Sequence, residues 1–318
     1  MDYAAKRVVM TGATGFLGTH LVAALRAAGY RDLRPLSSRE YNLLEQAEVR
    51  RMMREQEPEV VVHLAALIGG IKANKDHPAD FFYRNALMNV MVMHEARQAG
   101  VIKYMTCIGG CCYPAHAPSP IREECLWNGY PQPENAPYSV AKMIAVTQAA
   151  AFRQQYGFNA IVMVPGNLYG PNDNFNLNDA HVVAAVIRKV IEAQQRGERE
   201  IVAWGSGTPV RDFMFVKDAA AALVVALETY NEPGIVNISS GIQTTIRELY
   251  ETVTGLCGFK GAIRWDTTKP DGQMFKGFDV TRMKTVLKFD RITPLRTGLA
   301  ETIAWFKDNC GTPGAVRL

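Results

Sequence analysis

Over its first half the chain alternates short apolar runs with longer segments of helical period. Arg7–Thr11, Asp32–Leu36, Val60–Leu64, Lys103–Ile108 and Ala160–Val164 read as strands. Leu17–Ala28, Gln46–Gln56, Asp80–Gln98 and Ser139–Gln155 read as helices, with Gly29 and Gly100 as stops. Strands alternating with helices predict βαβ units and a parallel sheet. The strands are apolar almost throughout, which fits a sheet covered on both faces. The expected fold class is therefore α/β, a doubly wound parallel sheet of the Rossmann kind.

The second half is less regular. His181–Gln195, Asp218–Thr229, Thr245–Thr254 and Leu295–Asn309 are helical in pattern, and Ile201–Ala203 and Ile235–Ile238 are strand-like. This predicts a smaller C-terminal α/β lobe. The expected division is a cofactor domain over 1–170, to which 212–240 returns, and a substrate lobe built from 171–211 and 241–318. The Pro- and Gly-rich stretch Pro114–Pro137 is long for a loop, and long loops in compact domains are usually functional or mobile.

Composition excludes more than it assigns. The 318 residues are 48% hydrophobic and 21% charged, an ordinary globular balance. A net charge of +4 with no basic block argues against nucleic acid as a partner. No apolar run is long enough for a membrane span, and no signal-peptide pattern precedes the first strand. Six cysteines, with Cys111 and Cys112 adjacent, do not form a disulfide framework. The expectation is a soluble, cytoplasmic globular protein with no metal site; composition says nothing about its chemistry, which the motifs must supply.

The first chemical signal is Thr11-Gly12-Ala13-Thr14-Gly15-Phe16-Leu17-Gly18, between the first strand and the first helix. Gly12 permits a tight turn, Gly15 lets the backbone approach a pyrophosphate, and Gly18 lets helix and strand pack closely. The helix N-terminus then faces the phosphates. A glycine turn in a cofactor-free protein is the plain alternative. Near the tip of the second strand stand Ser37, Ser38, Arg39 and Glu40. Two hydroxyls and a guanidinium suit a 2′-phosphate, so the reading is NADP(H). In the alternative, Glu40 holds a ribose and Arg39 is a solvated charge.

The second signal is Tyr138-Ser-Val-Ala-Lys142, which puts a phenol and an ammonium on one helix face. A nearby ammonium favours the phenolate, so Tyr138 is expected to have a lowered pKa and to exchange protons with a carbonyl or hydroxyl. Lys142 is also suited to hold the nicotinamide ribose.

With this turn and pair, the chain resembles the extended short-chain dehydrogenase/reductases. Ala65–Asn74, Pro78–Phe81, Pro165–Phe175, Trp204–Arg211 and Lys269–Gly272 narrow the resemblance. They are similar to the GDP-L-fucose synthase branch, whose members epimerise and reduce GDP-linked 4-keto sugars with NADPH. The resemblance covers almost the whole chain. It implies cofactor contacts at Gly12, Thr14, Gly15, Phe16, Leu17, Gly18, Ser38, Arg39, Ala65, Ala66, Asn85, Tyr138, Lys142, Pro165, Asn167, Leu168 and His181. It assigns the epimerisation acid and base to Cys111 and His181, and the C4 proton to Tyr138. It places Asn174, Lys189, Trp204, Arg211 and Asp271 around the GDP-sugar. It also implies a homodimer packed through long helices. Without it, Cys111 reads as a small buried hydrophobe, His181 as a surface residue and Trp204 as a core aromatic.

One departure stands out. The family carries a Ser or Thr two residues before the cysteine, where its hydroxyl holds the substrate carbonyl. Here Gly109 or Gly110 occupies that place, according to how the segment is aligned. A water, a backbone N–H, Thr106 or Cys112 remain as stand-ins. Otherwise, C4 reduction is weak, and epimerisation alone is the main outcome.

Overall fold

The computed structural model describes residues 2–318. In chain order the first half contains β1 (Val8–Thr11), α1 (Phe16–Ala27), β2 (Leu33–Pro35), α2 (Gln46–Gln56) and β3 (Val60–His63). It continues with α3 (Ile71–Asp76), α4 (Pro78–Gln98), β4 (Lys103–Cys107), α5 (Ala136–Tyr156) and β5 (Ala160–Pro165). The second half adds β6 (Asn167–Tyr169), α6 (Val182–Gln195), β7 (Glu200–Trp204), β8 (Val210–Phe215), α7 (Val216–Thr229) and β9 (Ile235–Ile238). It ends with β10 (Gln243–Thr245), α8 (Ile246–Cys257), β11 (Ala262–Asp266), β12 (Phe275–Lys276), α9 (Thr281–Thr285) and α10 (Leu295–Asn309).

Six strands form the main sheet in the order β2-β1-β3-β4-β5-β9, and every pairing is parallel. Successive side chains on a strand face opposite ways. Val8 and Met10 accordingly enter one core with Leu21, Leu25 and Leu223, while Val9 enters the other with Met52, Val92 and Met143. Helices α1 and α7 thus cover one face, and α2, α4 and α5 the other. This is the doubly wound architecture. The order reverses at β1, between β2 and β3, and the crevice beyond the carboxyl ends of those strands is where such sheets take ligands.

A second body packs around β8. That strand pairs antiparallel with β10 and parallel with β12 and β6, and β7 pairs parallel with β11. A third core beneath it joins α6, α8 and α10 through residues such as Ile187, Leu249 and Phe306. The 114–137 stretch is anchored rather than loose. Ile121 bridges to Phe278, and buried Glu123 accepts from the Asn237 backbone N–H at 2.9 Å.

Candidate active site

The glycine turn is fixed by backbone contact. Gly12 adopts φ 72°, and a Cβ there would lie 2.5 Å from the Ala65 nitrogen, so only glycine fits. A Cβ on Gly18 would lie 2.9 Å from the Ala13 Cα. At Gly15 the nearest atom would be the Gly12 carbonyl oxygen at 3.2 Å, which leaves room in front of the turn. The N-terminus of α1 has no side-chain cap and no acid in its first turn. Its N–H groups and positive dipole end therefore face that room, an arrangement suited to a phosphate.

The next contacts follow from the same strands. Ala65 and Ala66 lie just beyond β3. Asn85, buried on α4, donates to the Phe81 carbonyl at 2.7 Å and the Leu67 carbonyl at 3.1 Å. Its oxygen accepts from the Leu67 N–H at 2.9 Å. The Asn85 amide thus holds the loop after β3 in shape. At the tip of β2 the Glu40 carboxylate accepts from the Ser37 N–H at 2.6 Å and its hydroxyl at 2.8 Å. Ser38 and Arg39 are exposed, and Arg39 has no ion pair among the described residues. Glu40 is occupied with the turn, and the hydroxyl and guanidinium are the groups left facing outward.

Tyr138 and Lys142 lie in the first two turns of α5, after Pro137. The Phe81 ring meets Tyr138 edge-on, with centroids 6.3 Å apart. Lys142 is only 3% exposed, and its ammonium has neither hydrogen bond nor ion pair among the described residues. A buried, unpartnered ammonium is costly, and a ribose hydroxyl would satisfy it. The expected lowering of the Tyr138 pKa is corrected here. Burial, then the Cys111, Cys112 and Cys107 sulfurs, push the phenol up, and Lys142 is itself pushed down by burial. Tyr138 is thus a neutral hydroxyl poised to donate.

Cys111 lies on a 3₁₀ turn, Gly110–Cys112, that follows β4. Ser139 staples this turn to α5 by donating its hydroxyl to the Cys111 carbonyl at 3.0 Å. Cys112 directs its thiol at the Ser139 carbonyl at 3.5 Å. The neighbouring Cys112 thiol, then the Lys276 ammonium and the Ser139 hydroxyl, hold Cys111 below the ordinary thiol range, against burial that pushes it up. The Cys112 thiol is raised by its burial. His181 stands at the N-cap position of α6, at the open rim of the cleft, and its side chain makes no capping hydrogen bond. The atoms crowding its ring lower its pKa, with Asp179 opposing and Lys276 adding to the effect.

The glycine departure has a defined geometry. A Cβ on Gly110 would run into the ring of the buried Phe278, so that position is closed to a side chain. One on Gly109 would meet only the Cys111 sulfur, at 3.1 Å, apart from a nearly 4 Å contact to the Cys111 nitrogen. Thr106 does not stand in, because it is fully buried and donates to the His63 carbonyl at 2.8 Å. Cys112 is likewise buried and committed to Ser139.

Across the cleft, Trp204 ends β7 with 65% of its surface exposed, so it is no core aromatic. The Lys189 ammonium lies 5.2 Å and the Lys269 ammonium 5.8 Å from its ring centroid. The flat ring and flanking cations suit a base followed by a diphosphate. Arg211 donates to the Gln273 carbonyl at 2.6 Å, and burial lowers its pKa. Asp271 accepts from the Ser206 N–H at 2.6 Å and hydroxyl at 2.9 Å. It therefore fixes the turn that presents Trp204. Asn174 donates to Asp179 at 3.0 Å and braces the loop before His181. Asn167 donates to the Asp212 carbonyl at 3.0 Å and ties β6 to β8; Leu168, its neighbour on β6, packs against the first core. Pro165 ends β5 against Ile238 of β9.

Three contributors were assigned no task from the sequence. Phe81, Ser139 and Lys276 touch the site through packing or long-range pairing, although Phe81 closes the Pro78–Phe81 segment and Ser139 lies inside the Tyr138–Lys142 motif. The helical period of α4 could have placed Phe81 on the buried face. Nothing in the sequence marks Lys276.

The model of the NAD dependent epimerase/dehydratase family matches residues 8–239. GDP-L-fucose synthase 1 of Arabidopsis thaliana is 38% identical over 303 residues, 95% of this chain and 94% of that protein. A GDP-L-fucose synthetase from Naegleria fowleri bound to NADP superposes with a TM-score of 0.89 at 26% identity, over 98% of this chain and 96% of that one. A GDP-6-OMe-4-keto-L-xylo-heptose reductase from C. jejuni gives 0.88 at 25% identity, over 96% and 98%. With matches that run nearly end to end, the chain belongs to the NAD dependent epimerase/dehydratase family.

Proposed function

We propose that this protein is an NADP(H)-dependent epimerase/reductase of a GDP-linked 4-keto sugar, such as GDP-4-keto-6-deoxy-mannose. One observation carries the reading: the Cys111 turn is stapled by Ser139 to the helix that bears Tyr138 and Lys142. That join puts a thiol suited to proton abstraction beside a phenol suited to proton donation. Full-length similarity to GDP-L-fucose synthases supports the substrate class, and the NADP-bound relative supports the cofactor.

Each group then has a task. The α1 N-terminus and glycine turn take the pyrophosphate, and Ser38 and Arg39 take the 2′-phosphate. Lys142 holds the ribose. Trp204, Lys189 and Arg211 hold the GDP end. Cys111, kept partly as thiolate, removes the proton α to the ketone, and His181 returns one from the rim. Bound NADPH supplies the hydride for C4. Tyr138 donates the proton to the resulting alkoxide oxygen. The implied homodimer has a candidate face on α4 and α5, where Phe82, Tyr83, Val90 and Tyr156 stand exposed.

A second reading rests on Gly109. With Thr106 and Cys112 committed elsewhere, one donor to the ketone oxygen is missing, a loss of about 10²–10³ in rate at comparable sites. The protein would then epimerise well and reduce slowly. Incubating it with GDP-4-keto-6-deoxy-mannose and NADPH in D₂O distinguishes the two. Deuterium entry with stoichiometric NADPH oxidation supports the first reading, and entry with little oxidation the second. Intact, unlabelled substrate would sink both. Cys111→Ser should abolish labelling, and Tyr138→Phe should abolish oxidation while sparing it.

A further inference from the structure

We infer that Lys276 is a positioning residue for the epimerisation half of the site, holding Cys111 as a thiolate from the substrate-lobe side of the cleft. The inference rests on Cys111 being the acid/base proposed above.

The placement comes from the sheet around β8. In β12, Lys276 pairs with Arg211 of β8 in parallel register. Two residues on, Phe278 packs its ring where a Gly110 side chain would stand. That contact presses the strand onto the cysteine turn. Lys276, Cys111 and Gly110 accordingly line one small cavity, together with Asn135 and Gln273. Gln273 is fixed there, its amide donating to the Ala115 carbonyl at 3.2 Å. The Lys276 ammonium has no hydrogen bond or ion pair among the described residues, and Arg211 beside it is a second cation rather than a counter-ion. Asn135 adds a buried side-chain oxygen with no partner. An ammonium enclosed without a carboxylate gains most from a neighbouring anion. The anion on the same cavity wall is the Cys111 sulfur, and the two charges favour each other, with Cys112 the larger influence on the sulfur.

The groups facing Cys111 come from several elements. Cys112 shares its turn, and Tyr138, Ser139 and Lys142 come from α5. Lys276 in turn faces Arg211 of β8 and His181 of the α6 rim, and Asp179 faces His181. Lys142 is the other cation held close, and it is assigned to the reduction half. The two ammoniums thus divide the labour: Lys142 serves the cofactor and Lys276 the thiolate.

The test is the pH profile of iodoacetamide alkylation at Cys111 in the full-length protein, with the label located by fragment-ion mass spectrometry. In Lys276→Met the midpoint should rise by about one pH unit, which leaves roughly tenfold less thiolate below it. Lys276→Arg should restore most of the shift. Deuterium entry at pH 7 should fall in parallel, as a kcat effect with little change in KM. Thermal unfolding of Lys276→Met and of Lys276→Gln identifies any variant that fails to fold. An unmoved Cys111 midpoint in a folded variant, or a raised KM with kcat intact, would overturn the inference. Failure of the underlying reading looks different: Cys111→Ser would retain full deuterium entry.

Discussion

The two walls of the cleft are built on different principles. The N-terminal wall is backbone. Gly12 and Gly18 are fixed by main-chain contacts with Ala65 and Ala13, and α1 offers an uncapped helix end. The C-terminal wall is side chain. Trp204, Lys189, Arg211 and Lys276 project from short strands and one helix, and the turns that present them are tied by single carboxylates such as Asp271. A backbone wall leaves little freedom to vary, because each glycine answers a steric demand. A side-chain wall can be re-cut residue by residue without disturbing the fold. Such a wall suits a fold that must keep one cofactor and change sugars.

The largest effect should come from breaking the backbone wall. Gly12→Ala forces a Cβ into the Ala65 backbone at a φ that alanine avoids. We expect NADPH affinity to fall at least about 100-fold, equivalent to roughly 2.7 kcal/mol. Gly157→Ala is the matched control. It has φ 65° at the end of α5, with nothing within 4 Å. It should cost only about 1 kcal/mol of stability and leave NADPH binding intact. Calorimetric titration of both variants decides it. Equal losses would mean that the effect runs through general stability and not through contact with the Ala65 backbone.

A smaller effect is expected from the side-chain wall. Trp204→Ala removes an exposed ring flanked by two ammoniums. KM for the GDP-sugar should rise about 10-fold, in line with a loss of roughly 1–2 kcal/mol of stacking and cation–π contact. The NADPH dissociation constant should not move, and stability should change by less than about 0.5 kcal/mol. A fall in Tm of several degrees would show that Trp204 supports the lobe rather than the ligand.

The same contrast explains what the sequence reveals. The Rossmann half is legible because its signals are local. Apolar strands such as Val60–His63, the glycine turn and the Tyr138–Lys142 spacing each declare themselves within a few residues. The helices Gln46–Gln56 and Leu295–Asn309 match their periodicity end to end. The short strands β6, β10 and β12 do not show in any pattern, because two or three residues carry no period and long-range pairing alone creates them. Even the six-residue β8 passes unread, since its Arg211 and Asp212 interrupt the apolar run. Lys276 belongs to this hidden class. The expected effect of Lys142 on Tyr138 fails for a related reason. Spacing places two residues on one face, but burial and the cysteine sulfurs, unseen in the spacing, set the charge balance.

A last contrast, one of stability and not of activity, is whether the side-chain wall also carries an unrelieved cost. Asp173 lies in the loop between β6 and α6, almost fully buried. One carboxylate oxygen accepts from the Asn174 N–H at 2.7 Å, while the other has no partner. Burial raises its pKa to about 7 from 3.8, with the Asn174 N–H and then Arg317 of the C-terminal segment only partly opposing. Below the unfolded value both states hold the proton, and Asp173 costs nothing. Between the two values the unfolded chain has released its proton and the folded protein has not, so stability falls as pH rises. Above the folded value the loss is complete and constant. Asp173→Asn cannot ionise and should lack this limb. We expect it to be about 1–3 kcal/mol more stable than the parent at pH 8, relative to their difference at pH 4. Part of the gain is offset by the new amide donor, which needs an acceptor in the same buried space. Urea unfolding at both pH values, without cofactor, measures the difference. Parallel pH profiles would mean that Arg317 and Asn174 already satisfy the carboxylate. In that case the loop that carries Asn174 toward His181 would be as fully satisfied as the glycine turn opposite it.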